Sequence, residues 1–272
     1  MYQPSPTRKS ITLTTLAKMK RDREKFTVLT AYDASFAVLM EATGVEVLLV
    51  GDSLGMVIQG QRTTVPVTME DMIYHTRMVA RGCQTALLMA DMPFASYATV
   101  DQAVYNAARL MQEGGAQMVK LEGGGALAET VRQLSRNGIP VCAHLGLLPQ
   151  SVHKLGGYKV QGRDAAAAQQ ILDEALALQE AGADVALVEC IPAELAGRLT
   201  AALDIPLIGI GAGPDCDAQV LVCYDMLGIT PGRRPKFSKN FLTGCDSVQA
   251  AVEAYVRAVK SGEFPGPDHC IA

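Results

Sequence analysis

Short runs of apolar residues recur along the chain, and they alternate with longer segments in which apolar residues are spaced as on one face of a helix. Eight such runs occur, at residues 27–33, 45–53, 86–91, 117–122, 139–144, 184–189, 205–211 and 220–225. Strands that are apolar on both faces are typical of a parallel sheet covered by helices. The pattern therefore predicts eight parallel strands separated by helices.

Sequence signals for helix boundaries fill the intervals between these runs. Thr68, with Asp71 three residues later, predicts a helix start, and Gly82 predicts its end. The segments 99–114 and 164–182 carry start and stop signals of the same kind. Eight strands in 272 residues favour a closed (β/α)₈ TIM barrel over an open doubly wound sheet. No G-x-G-x-x-G motif opens the first strand–helix unit, which weakens the dinucleotide-binding alternative.

The chain is expected to fold as one domain. It has no Ser- or Gly-rich linker, low-complexity tract or charge block that would mark a boundary, so residues 1–272 are predicted to form a single α/β barrel. A helical pattern over residues 13–25 predicts a short N-terminal helix that could close the bottom of the barrel. Residues 248–262 predict the last outer helix, and residues 263–272 are expected to form a loose tail.

Composition and charge restrict the class of function. With 49% hydrophobic and 19% charged residues, the chain has the composition of a globular protein. Its net charge of −4 offers no electrostatic footprint for nucleic acid. Seven cysteines without a C-x-x-C pair indicate a reducing compartment. No segment reads as a secretory signal or reaches the roughly 18 apolar residues of a membrane span, so we expect a cytoplasmic protein without a membrane partner.

Acidic residues stand at the carboxyl ends of successive predicted strands, where the loops of a barrel build its active site. Asp52, Asp91 and Glu122 end strands 2, 3 and 4. Neighbouring strands lie about 5 Å apart, so these carboxylates would repel one another unless a cation neutralises them. Such oxygen ligands suit Mg²⁺ together with water and substrate oxygens. Each acid could instead cap the next loop or helix, but the three together favour a metal site.

Three further strand-end residues are candidates for catalysis or binding. Lys120 shares a strand face with Glu122, so it could anchor an anionic substrate or form a salt bridge with that glutamate. Glu189 ends an apolar run, which suits a general base, but it could equally cap the following helix. His144 is expected to be a buried, hydrogen-bonded side chain, because no soft ligands accompany it and Cys142 to form a zinc site.

Glycine-rich loops follow several of the predicted strands. The clusters at residues 122–125 and 209–213 would let the backbone approach a ligand, and the second lies on strand 7, where barrels often bind phosphate. Tight connections also produce such clusters without any ligand. The loop at residues 155–164 follows strand 5 and could close over the barrel mouth as a lid.

A series of longer motifs resembles one enzyme family. The motifs are TAYD, LLVGDSLGMVIQG, PVTMEDMIYHTRMVARG, ADMPFASY, MVKLEGG, AHLGLLPQSV, GGYKVQGR, LVECIP and IGIGAG. In this order they resemble the ketopantoate hydroxymethyltransferase family, from about Ser10 to Pro267. Two small departures occur. Ala218 stands where a glycine is expected and could shift the local turn, and Gly125 stands where a bulkier residue is usual and could loosen its loop.

The resemblance implies a fold, an assembly and an activity. Members of the family are (β/α)₈ barrels that assemble as homodecamers and use Mg²⁺. They transfer a hydroxymethyl group from 5,10-methylenetetrahydrofolate to 3-methyl-2-oxobutanoate, giving 2-dehydropantoate (ketopantoate) for pantothenate and coenzyme A biosynthesis.

The resemblance also implies roles for individual residues. The metal-site acids match Asp52, Asp91 and Glu122, the residues that meet the oxo acid match Asp52, Ser53, Asp91 and Lys120, and the proton acceptor matches Glu189. A 2-oxo acid can chelate Mg²⁺ through its keto and carboxylate oxygens, which would polarise the carbonyl while the base removes the C3 proton.

Two other functions compete with this one. A Mg²⁺-dependent carbon–carbon lyase or mutase of the isocitrate lyase and phosphoenolpyruvate mutase type would share the fold and the enolate chemistry, but it would lack the GGYKVQGR and LVECIP motifs. A non-catalytic scaffold built on a decayed barrel would have lost strand-end acids. Here Asp52, Asp91, Glu122 and Glu189 are all present.

Overall fold

Eight parallel strands close into a barrel in the computed structural model, which describes residues 8–230, 232 and 234–271. Each strand pairs with the next along the chain and the eighth pairs with the first, so the predicted single-domain (β/α)₈ barrel is confirmed. The strands are β1 (Phe26–Thr30), β2 (Val47–Val50), β3 (Leu87–Asp91), β4 (Met118–Glu122), β5 (Val141–Gly146), β6 (Val185–Glu189), β7 (Leu207–Ile210) and β8 (Ala218–Leu221).

One helix precedes the first strand, and the others connect the strands or follow the last one. They are α1 (Leu13–Arg21), α2 (Ala34–Ala42), α3 (Leu54–Val57), α4 (Met69–Gly82), α5 (Val100–Arg109), α6 (Ala128–Arg136), α7 (Val152–Leu155), α8 (Ala165–Glu180), α9 (Ala193–Ala202), α10 (Cys223–Met226) and α11 (Val248–Lys260). In the described part of the chain, no helix combines the length and the apolar character that a membrane span needs.

Side-chain caps explain where the longer helices begin. Thr68 accepts a hydrogen bond from the Asp71 N–H, and the Asp71 carboxylate accepts one from the Thr68 N–H, which together form the predicted capping box of α4. The Thr99 side chain caps α5 by accepting from the Gln102 N–H, and the Asp164 side chain caps α8 by accepting from the Ala167 N–H. The helix starts that these residues predict are therefore confirmed.

The lower half of the barrel interior is filled by apolar side chains. Phe26, Val47 and Met118, at or next to the starts of their strands, belong to one buried cluster inside the barrel. Helix α1 adds Leu16 and Met19 to the same cluster, so it closes the amino-terminal end of the barrel. A larger cluster lies between the strands and the outer helices.

The eighth strand lies earlier in the chain than the apolar run at residues 220–225 predicts. β8 begins at Ala218, which pairs with Ile208 on β7 and is fully buried in the lower interior. The chain leaves the barrel at Cys223, whose N–H donates to the Thr30 hydroxyl at 2.9 Å and which starts α10. The methyl group of Ala218 therefore fills the interior, and the expectation that it disturbs a turn is wrong.

Helix α11 covers the seam between the first and the last strand. The Tyr255 hydroxyl lies 3.0 Å from the Val28 carbonyl oxygen on β1 and 2.8 Å from the Gln219 carbonyl oxygen on β8. Phe264 packs edge-on against the Tyr255 ring and is itself buried. The segment that was expected to form a loose tail is therefore packed against α11 at its start.

Candidate active site

Polar side chains replace apolar ones on the inward faces at the carboxyl end of the barrel. Because side chains two residues apart on a strand point to the same side, Asp91, Lys120, Glu122, His144 and Glu189 continue the inward faces of β3 to β6. Four of them are buried, and Glu189 is partly exposed. The structure thus gathers five residues singled out in the sequence at the mouth of the barrel.

The Lys120 ammonium lies among the acids. Its Nζ atom is 2.8 Å from Asp91 Oδ1 and 3.8 Å from Glu122 Oε1. Burial lowers the pKa of Lys120, but the carboxylates of Asp91, Glu122 and Asp52 outweigh burial and hold that pKa above its ordinary value. Lys120 is therefore a buried cation, and the salt bridge considered for it has Asp91 as the closer partner.

Asp52 and Ser53 follow β2 at a turn that opens with Gly51. The Asp52 N–H donates to Asp91 Oδ2 at 3.0 Å, and Ser53 Oγ lies 2.9 Å from the Tyr32 hydroxyl. A Cβ atom on Gly51 would lie 2.7 Å from Ser53 Oγ, which is closer than side chains tolerate. Glycine at this position therefore allows Ser53 to face Tyr32 while Asp52 stays beside Asp91.

The carboxylate of Asp52 is poorly compensated by its surroundings. Burial and the negative charges of Asp91 and Glu122 raise the pKa of Asp52 well above its ordinary value, and Lys120 and a hydrogen bond from Gln150 only partly oppose this effect. If all three carboxylates were ionised, the cluster would carry more negative charge than Lys120 neutralises. A further cation beside Asp52 would relieve the imbalance.

The predicted magnesium ligands do not form a ready-made cage. Within residues 8–230, 232 and 234–271, no group of three or more His, Cys, Asp or Glu side chains is arranged to hold a metal ion. Lys120 lies beside Asp91, and Gln150 lies between Asp52 and Glu122. The Asp91 carboxylate contacts the Asp52 backbone N–H, and the charges of the two side chains repel each other, so their oxygen donors fit a hard cation.

His144 connects two of the acids. Its Nδ1 atom lies 3.3 Å from Glu122 Oε1, and its Nε2 atom lies 3.3 Å from Glu189 Oε2. Burial and Lys120 lower the pKa of His144, but the contacts with both glutamates outweigh them and raise it to about 8. Burial raises the pKa of Glu122, but its contacts with His144 and Lys120 outweigh that and lower it. A protonated ring forms an ion pair with both carboxylates, although among the described residues neither ring nitrogen has a partner in hydrogen-bond geometry.

Glu189 does not cap the helix that follows it. Helix α9 has Pro192 at its N-cap position and no side-chain hydrogen bond there. The Glu189 side chain contacts His144 instead, and it is 15% exposed, compared with 2% for the side chain of Glu122. Of the two interpretations of Glu189, these contacts favour a role at the barrel mouth.

Two residues at the site were missed by the sequence analysis. Gln150, in a short 3₁₀ turn after β5, is 5% exposed, and its Oε1 atom accepts a hydrogen bond from the Tyr97 hydroxyl at 2.6 Å. Both residues lie inside quoted motifs, ADMPFASY and AHLGLLPQSV. Their separation of 53 positions gives no sign that they meet, because only closure of the barrel brings them together.

The loop at residues 155–164 lies across the barrel mouth. The Gln161 N–H donates to the Cys190 carbonyl oxygen at 3.0 Å, and the Tyr158 hydroxyl lies 3.7 Å from Met56 Sδ. Burial raises the pKa of Tyr158, and the charge of Glu189 adds to the increase. The loop thus reaches from the end of β6 to the segment after β2, as a lid would.

The glycine clusters have packing reasons. A Cβ atom on Gly209 would lie 2.6 Å from the Cys216 sulfur, and one on Gly124 would collide with the Glu174 carboxylate. These glycines pack against the protein itself, so the phosphate site considered for residues 209–213 gains no support. At Gly125 a Cβ atom would meet only Glu174 Cγ, at 3.7 Å, so that position has room for a larger residue.

Comparison with known proteins places this site in context. A family model described as ketopantoate hydroxymethyltransferase matches residues 10–267. A 3-methyl-2-oxobutanoate hydroxymethyltransferase of Nitrosococcus oceani is 65% identical over 94% of this chain and 97% of its own length.

Solved structures resemble the chain in fold. A 2,3-dimethylmalate lyase of the PEP mutase/isocitrate lyase superfamily has a TM-score of 0.57 at 17% identity, covering 79% of this chain and 82% of its own. A phosphonopyruvate hydrolase in complex with oxalate and Mg²⁺ has a TM-score of 0.58 at 14% identity, covering 92% and 98%. At these identities the likeness is one of fold alone.

Proposed function

The chain belongs to the ketopantoate hydroxymethyltransferase family and is an enzyme of pantothenate biosynthesis, and from this premise we propose how its site works. The proposed reaction transfers a hydroxymethyl group from 5,10-methylenetetrahydrofolate to 3-methyl-2-oxobutanoate and yields 2-dehydropantoate. The family match supports the reaction, and the arrangement of the barrel mouth supports the roles that follow.

Lys120 and the acids beside it would bind the oxo acid. The buried ammonium of Lys120 attracts the substrate carboxylate, and Ser53, turned toward Tyr32, can donate a hydrogen bond to the substrate. Mg²⁺ would be held by Asp52 and Asp91, with Glu122 as the third predicted acid, and when bound it would polarise the keto group. The surroundings of Asp52 disfavour its ionised form, and a bound cation would stabilise that form, which supports this assignment.

Glu189 is proposed as the general base. The observation that carries this proposal is the greater exposure of its side chain, 15% against 5% or less for Asp91, Lys120 and Glu122. A carboxylate that faces the open mouth can reach the C3 proton, whereas the buried acids are already engaged with other groups. His144, at 3.3 Å, would orient the Glu189 carboxylate. The C3 carbon would then form a bond to the one-carbon unit, whose two bonds to folate nitrogens break to release tetrahydrofolate, and water would supply the oxygen of the new hydroxymethyl group.

The base is tested by proton exchange without the folate. The protein is incubated with 3-methyl-2-oxobutanoate and Mg²⁺ in D₂O, and loss of the C3 proton is followed by NMR. We expect Glu189→Gln to slow this exchange by about 10²- to 10⁴-fold, which is the usual effect of losing a general base. Glu194→Gln, an exposed glutamate in the same strand–helix unit, is the matched control and should exchange like the wild type.

Two outcomes would contradict the proposal. Undiminished exchange in Glu189→Gln would show that Glu189 is not the base. Exchange that is equally fast without Mg²⁺ would show that proton removal does not need the metal. The rival lyase or mutase activity would consume an oxo acid without methylenetetrahydrofolate, so a strict requirement for the folate separates the two reactions. The homodecamer that the family resemblance implies stays a prediction. Light scattering tests it by measuring the molar mass of the assembly.

A further inference from the structure

The buried amide of Gln150 has no role in the reaction as proposed above. It sits at the barrel mouth between two of the acids, yet an amide neither carries charge nor exchanges a proton in acid–base catalysis. Its side chain extends from the turn after β5 toward the ends of β2 and β3. A neutral polar group buried this deeply is expected to have its donors and acceptors paired.

Each polar group of Gln150 that faces the site has a partner. The side-chain Nε2 donates to Asp52 Oδ2 and to the Met92 carbonyl oxygen, both at 2.9 Å. The backbone N–H donates to Glu122 Oε2 at 3.0 Å. Gln150 thus donates to one oxygen atom of Asp52, which follows β2, and to one oxygen atom of Glu122, at the end of β4.

Tyr97 fixes the orientation of this amide. Its hydroxyl donates to Gln150 Oε1 at 2.6 Å and accepts from the Glu122 N–H at 3.2 Å. In the reversed orientation, Oε1 of the amide would face two acceptors, the Asp52 carboxylate and the Met92 carbonyl. Only the observed orientation places the amide N–H groups against the Asp52 and Met92 acceptors. The Tyr97 hydroxyl also lies 3.2 Å from the Glu122 carbonyl oxygen, but Gln150 Oε1 is its closer acceptor.

We propose that Tyr97 and Gln150 act together as a positioning pair, which holds the Asp52 and Glu122 carboxylates at a fixed separation for the oxo acid and the metal ion. This inference rests on the proposed function. Like charges in a buried cluster repel one another, so without these donors the two carboxylates would rotate apart. A site whose ligands are already oriented binds without the entropy cost of ordering them.

The milder test removes a single hydroxyl group. We expect Tyr97→Phe to raise the dissociation constant of 3-methyl-2-oxobutanoate, measured by calorimetry with MgCl₂ present, by about fivefold or more, because it leaves a buried amide oxygen unpaired. Tyr105→Phe, which removes a hydroxyl from a ring that is 66% exposed on α5, is the matched control. An unchanged dissociation constant in Tyr97→Phe would contradict the proposed positioning role of Tyr97 and Gln150.

The stronger test asks whether the two residues act as one unit. Gln150→Leu should weaken binding by about tenfold or more, and Gln249→Leu on the exposed face of α11 should not. If Tyr97 acts through Gln150, adding Tyr97→Phe to Gln150→Leu should change binding by less than about twofold. Effects that multiply in the double variant would overturn the proposal. Thermal unfolding of each variant separates loss of binding from loss of fold.

Titration with Mn²⁺ alone, followed by its electron spin resonance signal, gives a second measurement of the same variants. The proposed pair predicts weaker Mn²⁺ binding in Tyr97→Phe and in Gln150→Leu, and equal affinities would contradict it. A wild-type protein that binds Mn²⁺ but not the oxo acid would contradict the proposed function instead. The Mn²⁺ affinities would still decide the role of the pair.

Discussion

The two ends of the barrel use the inward faces of the same strands for opposite purposes. On β3, the inward position of Met89 belongs to the apolar lower interior, and two residues later Asp91 belongs to the charged mouth. On β4 the same step leads from Met118 to Lys120. The inward face of one strand thus changes from apolar to charged within about 7 Å, the length of two residues.

The difference shows how one barrel meets two opposed requirements. The lower interior is filled by apolar side chains and is closed by α1, so burial of those side chains stabilises the fold without burying charge. The mouth holds buried charges that are incompletely balanced, as the raised pKa of Asp52 indicates, and that arrangement reduces stability in exchange for function. Substitutions at the two ends should therefore separate stability from activity.

The largest effect on stability is expected at the lower end. Phe26→Ala removes a fully buried ring from the lower cluster and should lower the free energy of unfolding by about 3–5 kcal/mol, measured by urea titration. At low temperature, C3 proton exchange per folded molecule should stay near the wild-type rate, because no group at the mouth is changed. A fall in that rate would mean that the two ends are not independent.

At the mouth, Lys120→Met should damage both properties. It leaves the Asp91 carboxylate buried without its partner at 2.8 Å, which should cost about 3 kcal/mol of stability at neutral pH and abolish oxo-acid binding. Lys9→Met, at an exposed lysine, controls for loss of a positive charge. If Lys120→Met binds the oxo acid normally, the lysine serves only as a structural ion pair.

The smallest effect concerns a carboxylate at the lower end. Asp184 accepts a hydrogen bond from the Val141 N–H at 2.9 Å, and burial raises its pKa. A raised pKa in the folded state means that Asp184 contributes stability below its ordinary pKa and loses that contribution as the pH rises through the raised value. Asp184→Asn keeps an acceptor and removes the charge.

The expected gain from Asp184→Asn is a few tenths of a kcal/mol at pH 7, because solvent screens this partly exposed group, and no gain is expected near pH 3. Urea titrations at both pH values measure it, and proton exchange at C3 should not change. A variant that is less stable than the wild type at pH 7 would show that the charge strengthens the bond to Val141.

The alternation of apolar runs with helical segments made much of this architecture predictable. Apolar runs identified eight strands, and the period of two placed Lys120 and Glu122 on one strand face. The exception is β8, where Ala218 and Gln219 did not stand out from a loop, although pairing with β7 places them in the barrel. Contacts with a neighbouring strand decided that boundary, and a single sequence does not display them.

The partners of the site residues were less predictable than their positions. Sequence spacing paired Lys120 with Glu122 on its own strand, but the closer contact of Lys120 is with Asp91 on β3, the preceding strand. Likewise, Tyr97 and Gln150 meet only because the turns after β3 and β5 converge above the barrel. Such pairings depend on strand order and side-chain rotamers, which the periodicity of one strand does not contain.

The contacts of Tyr255 have a consequence for the order of events during synthesis. Its hydroxyl joins the seam of the barrel across 227 positions of sequence, from Val28 to α11. The ribosome synthesises β1 long before α11, so one edge of the first strand stays unpaired while most of the chain is made. During that interval the edge of β1 that pairs with β8 in the closed barrel has no partner strand, and such an edge is prone to pair with other chains.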